Sequence, residues 1–193
     1  MNSQLKKKYD FLFEIRKLKT LYRQTKVDKD RQESSAEHSW SAAMIIWTLW
    51  DELTEEFDNS IDLLKAVKMI MIHDIVEIDA GDISAFKISD REDNKANEIK
   101  AAERIFGILP KNLYKEMFFL WEEFEKNDTI ESHIANAADA LCPLFQRITI
   151  VDKIDKPIEE LDKIKLHKVE FSNTFSNLYK ELRKEAKRLK IFK

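Results

Sequence analysis

The chain has 193 residues, with Lys+Arg 33 against Asp+Glu 36 and a formal net charge of -3. Hydrophobic residues make up 44% and charged residues 36%, a balance that supports one globular domain with a sizeable core and excludes a disordered chain. The slight acidity removes any global attraction for nucleic acid or an anionic membrane. One cysteine, Cys142, excludes an internal disulfide framework and a cysteine-rich zinc site, and suits a reducing, cytoplasmic compartment.

Gly 2 and Pro 3, beside abundant Lys, Glu, Leu and Ala, predict an all-α, single-domain helical fold over residues 1–193. No glycine-rich phosphate loop of the P-loop or dinucleotide-binding type can be built from Gly81 and Gly107. The first helix is expected from about Leu5 to Tyr22, and its charges at Lys6, Lys7, Lys8 and Asp10 leave no signal-peptide apolar region. Arg23 to Glu33 is polar and charged and reads as a loop. Ser34 and Glu37 form an S-x-x-E capping box for a helix reaching about Phe57. Its uncharged run, Ser39 to Trp50, is too short to cross a membrane, which takes about 20 apolar residues, and predicts a buried helix. Ser60 is a cap for a helix from Ile61 to about Asp79, stopped by Gly81. A loop through Phe86 follows, and Ser89 with Glu92 makes a second capping box for a helix ending near Gly107. Pro110 suits the first turn of a helix to about Glu125, and Asp128 with Glu131 opens the next. Pro157 begins or kinks the last stretch, where Phe171, Phe175, Leu178, Leu182 and Leu189 fall at helical spacings. The basic segment Lys180 to Lys193 is interleaved with Glu181 and Glu185, the pattern of a solvated helix face rather than a nucleic-acid site.

Three apolar segments carry polar groups that a core would reject. The helix from Ile61 is apolar nearly all round, yet its last turns hold His73, Asp74 and Glu77. His38 opens a run containing Trp40, Met44, Ile45, Ile46 and Trp47. Asp139 interrupts Ile134, Ala135, Ala137, Ala138, Ala140 and Leu141. Burying an ionised carboxylate without a partner is prohibitive. Two imidazoles and two carboxylates form a mixed N/O set suited to one divalent ion such as Mn, Co, Fe or Zn, with Mg as a further option. The competing reading is a hydrogen-bonded polar network in the core, and the His-Asp dipeptide alone does not decide between them. A ferritin-like di-iron bundle is excluded, because no His has a Glu three residues before it; H-E-x-x-H is absent too. His133 and His167 lie among polar neighbours and read as surface residues, as does Asp79.

The order E-S-S-A-E-H-S-W (33–40), M-I-H-D-I-V-E-I-D-A-G-D-I (71–83) and A-D-A-L-C-P-L (138–144), with L-W-E-E-F-E (120–125), resembles the HD-domain metal-dependent phosphohydrolases. It is most similar to their compact 5'-deoxynucleotidase branch. The resemblance runs from about Leu18 to Leu144; the stretch from about 157 to 193 is expected as a helical extension. It implies metal ligands at His38, His73, Asp74 and Asp139, catalytic carboxylates at Glu77 and Asp82, and a substrate-phosphate contact at Arg23. Two features depart from the family pattern. Ala140 stands where many relatives have Lys or Arg, and the region after Phe145 follows no family pattern.

The resemblance implies hydrolysis of deoxyribonucleoside 5'-monophosphates by a water that the metal activates, with Arg23 on the phosphate. Glu77 and Asp82 divide the general acid and base roles, in an order the sequence leaves open. The implied partners are a nucleotide substrate and a second copy of the chain in a homodimer, with no nucleic acid and no membrane. Two alternatives stay open: the same site acting on a triphosphate, cyclic or signalling nucleotide, and a non-catalytic helical interaction protein using the C-terminal apolar stripe.

Overall fold

The computed structural model describes residues 2–83 and 88–193, with side chains over 2–83 and 94–193. The expected loop through Phe86 and the Ser89–Glu92 capping box lie outside the described residues. The N-terminal helix α1 (Ser3–Glu14) is capped by Asn2, whose side chain accepts from the Leu5 amide, and tightens into a 3-10 segment at Ile15–Lys19.

In place of the expected loop, strands β1 (Tyr22–Lys26) and β2 (Gln32–Ser34) pair as an antiparallel hairpin. β1 alternates as a half-buried strand does, but its inward residues are Arg23 and Thr25. Polar side chains on the inner face leave no hydrophobic alternation to read.

The Ser34–Glu37 capping box forms as expected and starts α2 (Ser35–Thr48). The helix does not run on to Phe57; it breaks at Leu49, and α3 (Trp50–Glu56) follows. Nor is α2 buried all round. His38, Ala42, Ala43 and Ile46 face the core, while Trp40 and Trp47 are 63% and 68% exposed. Helix α4 (Leu63–Ile72) is capped by Asp62, whose carboxylate accepts from the Lys65 amide; the Ser60 hydroxyl instead donates to the Phe57 carbonyl. It passes into a 3-10 turn at His73–Val76, then α5 (Glu77–Ala80), which Gly81 stops at φ +81°.

The remaining helices are α6 (Ile88–Phe106), α7 (Lys111–Lys126), α8 (Ile130–Ile150), α9 (Ile158–Val169) and α10 (Asn173–Arg188). Pro110 stands just before α7 with an extended ψ of 145°. Thr129 and Ser132 cap α8 reciprocally in place of the expected Asp128 and Glu131, one residue further along. The last apolar stretch divides at Ser172, which caps α10 through the Phe175 amide.

Helices α2, α4 and α8 pack on one another at the centre, with α7 beside α4 and the α9–α10 pair on α8. Phe175, Tyr179 and Leu182 of α10 are buried in the shared core, which runs from Phe11 to Phe192. The C-terminal stripe is therefore consumed in packing, which leaves little of it for a partner protein. Among the described residues, no helix is long and apolar enough to cross a membrane.

Candidate metal centre and substrate cavity

The three central helices bring the four anomalous polar groups to the same place. His38 lies in the first turn of α2, His73 and Asp74 at the end of α4, and Asp139 in the middle of α8. His38 Nε2 is 3.0 Å from Asp139 Oδ1, across 101 positions of sequence. His73 Nε2 is 2.8 Å from Asp74 Oδ1 and 3.7 Å from Asp139 Oδ1, and the two imidazole centroids are 5.5 Å apart. Ligand atoms of His38, His73 and Asp74 lie within 4.8 Å of one another, and all three residues are buried. Donors around one ion at about 2.1 Å are themselves about 3–4 Å apart, close to the 2.8–3.7 Å separations among His38, His73, Asp74 and Asp139.

The tautomer of His73 tests whether a cation fits. Its Nδ1 is 2.7 Å from the Ile70 carbonyl, an atom that only accepts, so Nδ1 carries the proton. In a neutral ring Nε2 then presents a lone pair towards two carboxylate oxygens, and it makes no hydrogen bond. Burial would push the imidazole down, but the Asp74 and Asp139 carboxylates outweigh it and raise it to about 10. The cluster thus calls for positive charge at that nitrogen, which a proton or a divalent ion supplies. Asp139 is held well below the ordinary carboxylate range: burial works against this, and His38, His73 and Lys168 overcome it. Burial likewise pushes His38 down, towards the neutral ring that a metal requires. The donor set fits a divalent ion.

Local backbone accounts for the aim of these side chains. The 3-10 turn winds three residues per turn, so groups three apart share an edge, and Asp74 and Glu77 both face Arg23. Pro143 lacks an N–H and so denies the Asp139 carbonyl, four residues back, its helical donor. The α8 ladder is interrupted at the residue that carries the carboxylate. Gly81, at a φ that L side chains rarely adopt, turns the chain so that Asp82 also approaches Arg23.

Arg23 of β1 is the hub of a second cluster. Its guanidinium donates to Asp74 Oδ2 at 2.6 Å and lies 3.9 Å from Glu77 and 3.8 Å from Asp82. Burial would lower its pKa, but these carboxylates raise it. Glu77 is raised well above the usual carboxylate value by burial and by Asp74, and Ser35 Oγ donates to its Oε2 at 3.1 Å. A carboxyl raised in this way holds a proton more tightly than an ordinary carboxylate does.

His73, Asp74 and Asp139 of the first cluster and Arg23, Glu77 and Asp82 of the second line one cavity of about 360 Å³, within the usual size of a small-molecule site. The described residues put six carboxylates (Asp74, Glu77, Asp82, Glu98, Glu125, Asp139) and four cations (Arg23, Arg147, Lys165, Lys168) on its walls. A divalent ion would bring these charges into balance. The lining also includes the apolar side chains of Ile154, Leu161, Ile164 and Phe192.

The seven residues expected at the site, His38, His73, Asp74, Asp139, Glu77, Asp82 and Arg23, are brought together. Asp79 is exposed and pairs with Arg104, and His167 is exposed, as expected. His133 is a correction: it is half-buried, with Nδ1 3.0 Å from Asn127 Oδ1 and its ring against Phe171. Sequence reasoning missed the contribution of α9 and of Phe192. It also placed Glu33 in a polar loop, whereas that side chain is 1% exposed, 4.0 Å from His38 Nδ1, and raised to about 7 by burial.

The family model described as "HD domain" matches residues 15–190. The chain is 32% identical over 154 residues to the Dictyostelium discoideum 5'-deoxynucleotidase HDDC2, covering 78% of this chain and 79% of that protein. It is 26% identical over 127 residues to the human protein of that name, a match spanning 59% of the human protein's length. Among solved structures, one described as a predicted metal-dependent phosphohydrolase from Magnetospirillum magnetotacticum superposes with a TM-score of 0.85 at 34% identity, covering 99% of each chain.

Proposed function

This chain belongs to the HD-domain family, and from that membership we propose that it is a metal-dependent phosphohydrolase that removes the 5'-phosphate of deoxyribonucleoside monophosphates. The observation that carries the reading is the buried His73 Nε2 held beside the Asp74 and Asp139 carboxylates, on the wall of a cavity that also holds Arg23 and a raised carboxyl. The names of the relatives support the substrate class.

His38, His73, Asp74 and Asp139 would hold one divalent ion, which when bound lowers the pKa of a water and offsets phosphate charge. Arg23 then orients the phosphate, its guanidinium already fixed by Asp74. The attacking water forms the new P–O bond while the bond from phosphorus to the 5'-oxygen breaks. Glu77 takes the proton lost by the water, and Asp82, on the turn after Gly81, returns one to the departing 5'-oxygen. Ser35 fixes the Glu77 carboxylate through its hydroxyl. The products are a deoxynucleoside and inorganic phosphate.

The reading takes residues 1–193 as one domain, with motifs over about 18–145, in a cytoplasmic setting supported by the single buried thiol of Cys142. A homodimer is part of it. Trp40, Met44 and Trp47 form an exposed stripe on α2 that a second copy would cover, and light scattering on a sizing column measures the mass directly.

Activity and circular dichroism measured together under EDTA test the enzyme against a scaffold. Loss of phosphate release with the helical signal retained, and its return with Mn, supports the reading. Full activity in both Glu77→Gln and Asp82→Asn would sink the assigned chemistry.

A further inference from the structure

Helix α9 turns one face to the cavity. Leu161, Ile164, Lys165 and Lys168 all line it, and their spacing is that of a single helical stripe. The stripe is apolar at its first two positions and cationic at its last two. Lys168 ends it beside the candidate metal centre, with Nζ 3.8 Å from Asp139 Oδ2 and 3.5 Å from Asn136 Oδ1 and its side chain 20% exposed. Both contacts are longer than the roughly 2.7–2.9 Å of a formed charge-assisted hydrogen bond. An ammonium carries three donors, and among the described residues its contacts with Asp139 and Asn136 both lie beyond that range. Arg23 already gives one of its guanidinium donors to Asp74 at 2.6 Å, and Arg147 pairs with Asp152.

We propose that Lys168 is a substrate-binding residue that takes a non-bridging oxygen of the phosphomonoester, so that α9 sets the direction in which the nucleotide lies. Leu161, seven residues earlier, sits about 10 Å back along the helix at about 1.5 Å per residue. That is the scale of a nucleoside monophosphate. It places the apolar wall of Leu161, Ile154 and Phe192 against the nucleoside while Lys168 holds the phosphate. The proposal rests on the phosphohydrolase reading and adds to it the helix that selects the substrate's orientation.

The test uses the full chain loaded with Mn and titrates inorganic phosphate by calorimetry, with deoxynucleotide kinetics in parallel. The variants are Lys168→Gln, Lys168→Arg and the control Lys163→Gln, whose side chain on the same helix is 73% exposed and pairs with Glu160. Lys168→Gln is expected to weaken phosphate binding about tenfold or more and to raise KM, because a charge-assisted contact is lost. Lys168→Arg restores most of both, Lys163→Gln matches wild type, and Mn affinity is the same throughout. Wild-type phosphate binding in Lys168→Gln, with Mn affinity reduced instead, would overturn the proposal and leave Lys168 as a support for Asp139. If wild type hydrolyses deoxymonophosphates and Lys168→Gln does so with the same KM, the Lys168 assignment alone falls. If wild type neither binds phosphate nor hydrolyses any nucleotide, the functional reading falls and this proposal with it.

Discussion

The Ile70 carbonyl holds the Nδ1–H of His73 at 2.7 Å, and this one backbone contact aims Nε2 at the carboxylates of Asp74 and Asp139. His73→Gln keeps a polar side chain but lacks that fixed ring nitrogen. It is expected to lower Mn affinity at least tenfold, the usual scale for disturbing a metal ligand or its supporting contact. Calorimetric titration of the metal-stripped protein measures this, with circular dichroism to confirm the fold.

Arg23 faces Asp74, Glu77 and Asp82 and is their shared counter-charge. Arg23→Ala leaves carboxylates buried without it, a change that ordinarily costs about 3–5 kcal/mol. The variant should therefore melt well below wild type as well as lose activity. Arg23→Lys keeps the charge but not the planar fork; it should retain most of the melting temperature while kcat/KM falls. Thermal unfolding beside phosphate-release kinetics separates the two losses.

Gly81 adopts φ +81°, and nothing lies within 4 Å of the point a Cβ would occupy, so its need is conformational and not steric. Gly81→Ala is expected to cost about 1–3 kcal/mol and to move Asp82 away from Arg23. The melting temperature and the activity should fall together. Unchanged activity would mean that Asp82 does not depend on this turn.

How much of the fold and site is legible in the sequence follows from the kinds of residue involved. His38, His73, Asp74 and Asp139 stand out because each interrupts an apolar helix, and polarity inside a hydrophobic period is a visible contradiction. The β1–β2 hairpin is invisible for the opposite reason: Arg23 and Thr25 face inward, so the strand lacks an apolar period. Lys165 and Lys168 look like ordinary surface charges, since nothing in α9 says which face meets a cavity. The stripe of Leu161, Ile164, Lys165 and Lys168 gains meaning only once α9 is seen to pack on α8. Capping residues shift by one or two positions, from Asp128 to Thr129 and from Ser60 to Asp62, because adjacent polar residues compete for the same amide groups.

Asp162 ties α9 to α10, accepting from Tyr179 Oη at 2.6 Å and from Arg183 Nε at 2.7 Å. The Arg183 hydrogen bond holds its carboxyl below the ordinary aspartate value. The stability this contributes is fully present above the unfolded pKa and is lost as pH falls through the lower folded one. Asp162→Asn should thus cost about 1 kcal/mol near neutral pH, discounted for solvent screening. The variant and wild type should converge as pH falls through the lowered folded-state value of Asp162. Urea unfolding at several pH values tests the sign: a gap that widened on acidification would contradict it.

Phe192 lines the cavity, its backbone neighbours pinned by hydrogen bonds from Ile154 to Ile191 and from Lys193 to Lys156. Phe192→Leu removes aromatic surface from the lining proposed for the nucleoside while keeping an apolar side chain there. KM for deoxynucleotides should rise about three- to tenfold, while affinity for inorganic phosphate stays at the wild-type value. Equal changes in both would show that Phe192 does not discriminate the two ends of the substrate.

The most direct test of the account is phosphate release from a panel of ribo- and deoxyribonucleoside mono- and triphosphates, run metal-stripped and with added Mn, Co, Zn or Mg, beside Asp74→Ala. The account predicts release from deoxymonophosphates that requires an added divalent ion and vanishes in the variant. Silence across the panel in a folded, metal-loaded protein, or equal release by Asp74→Ala, would contradict it.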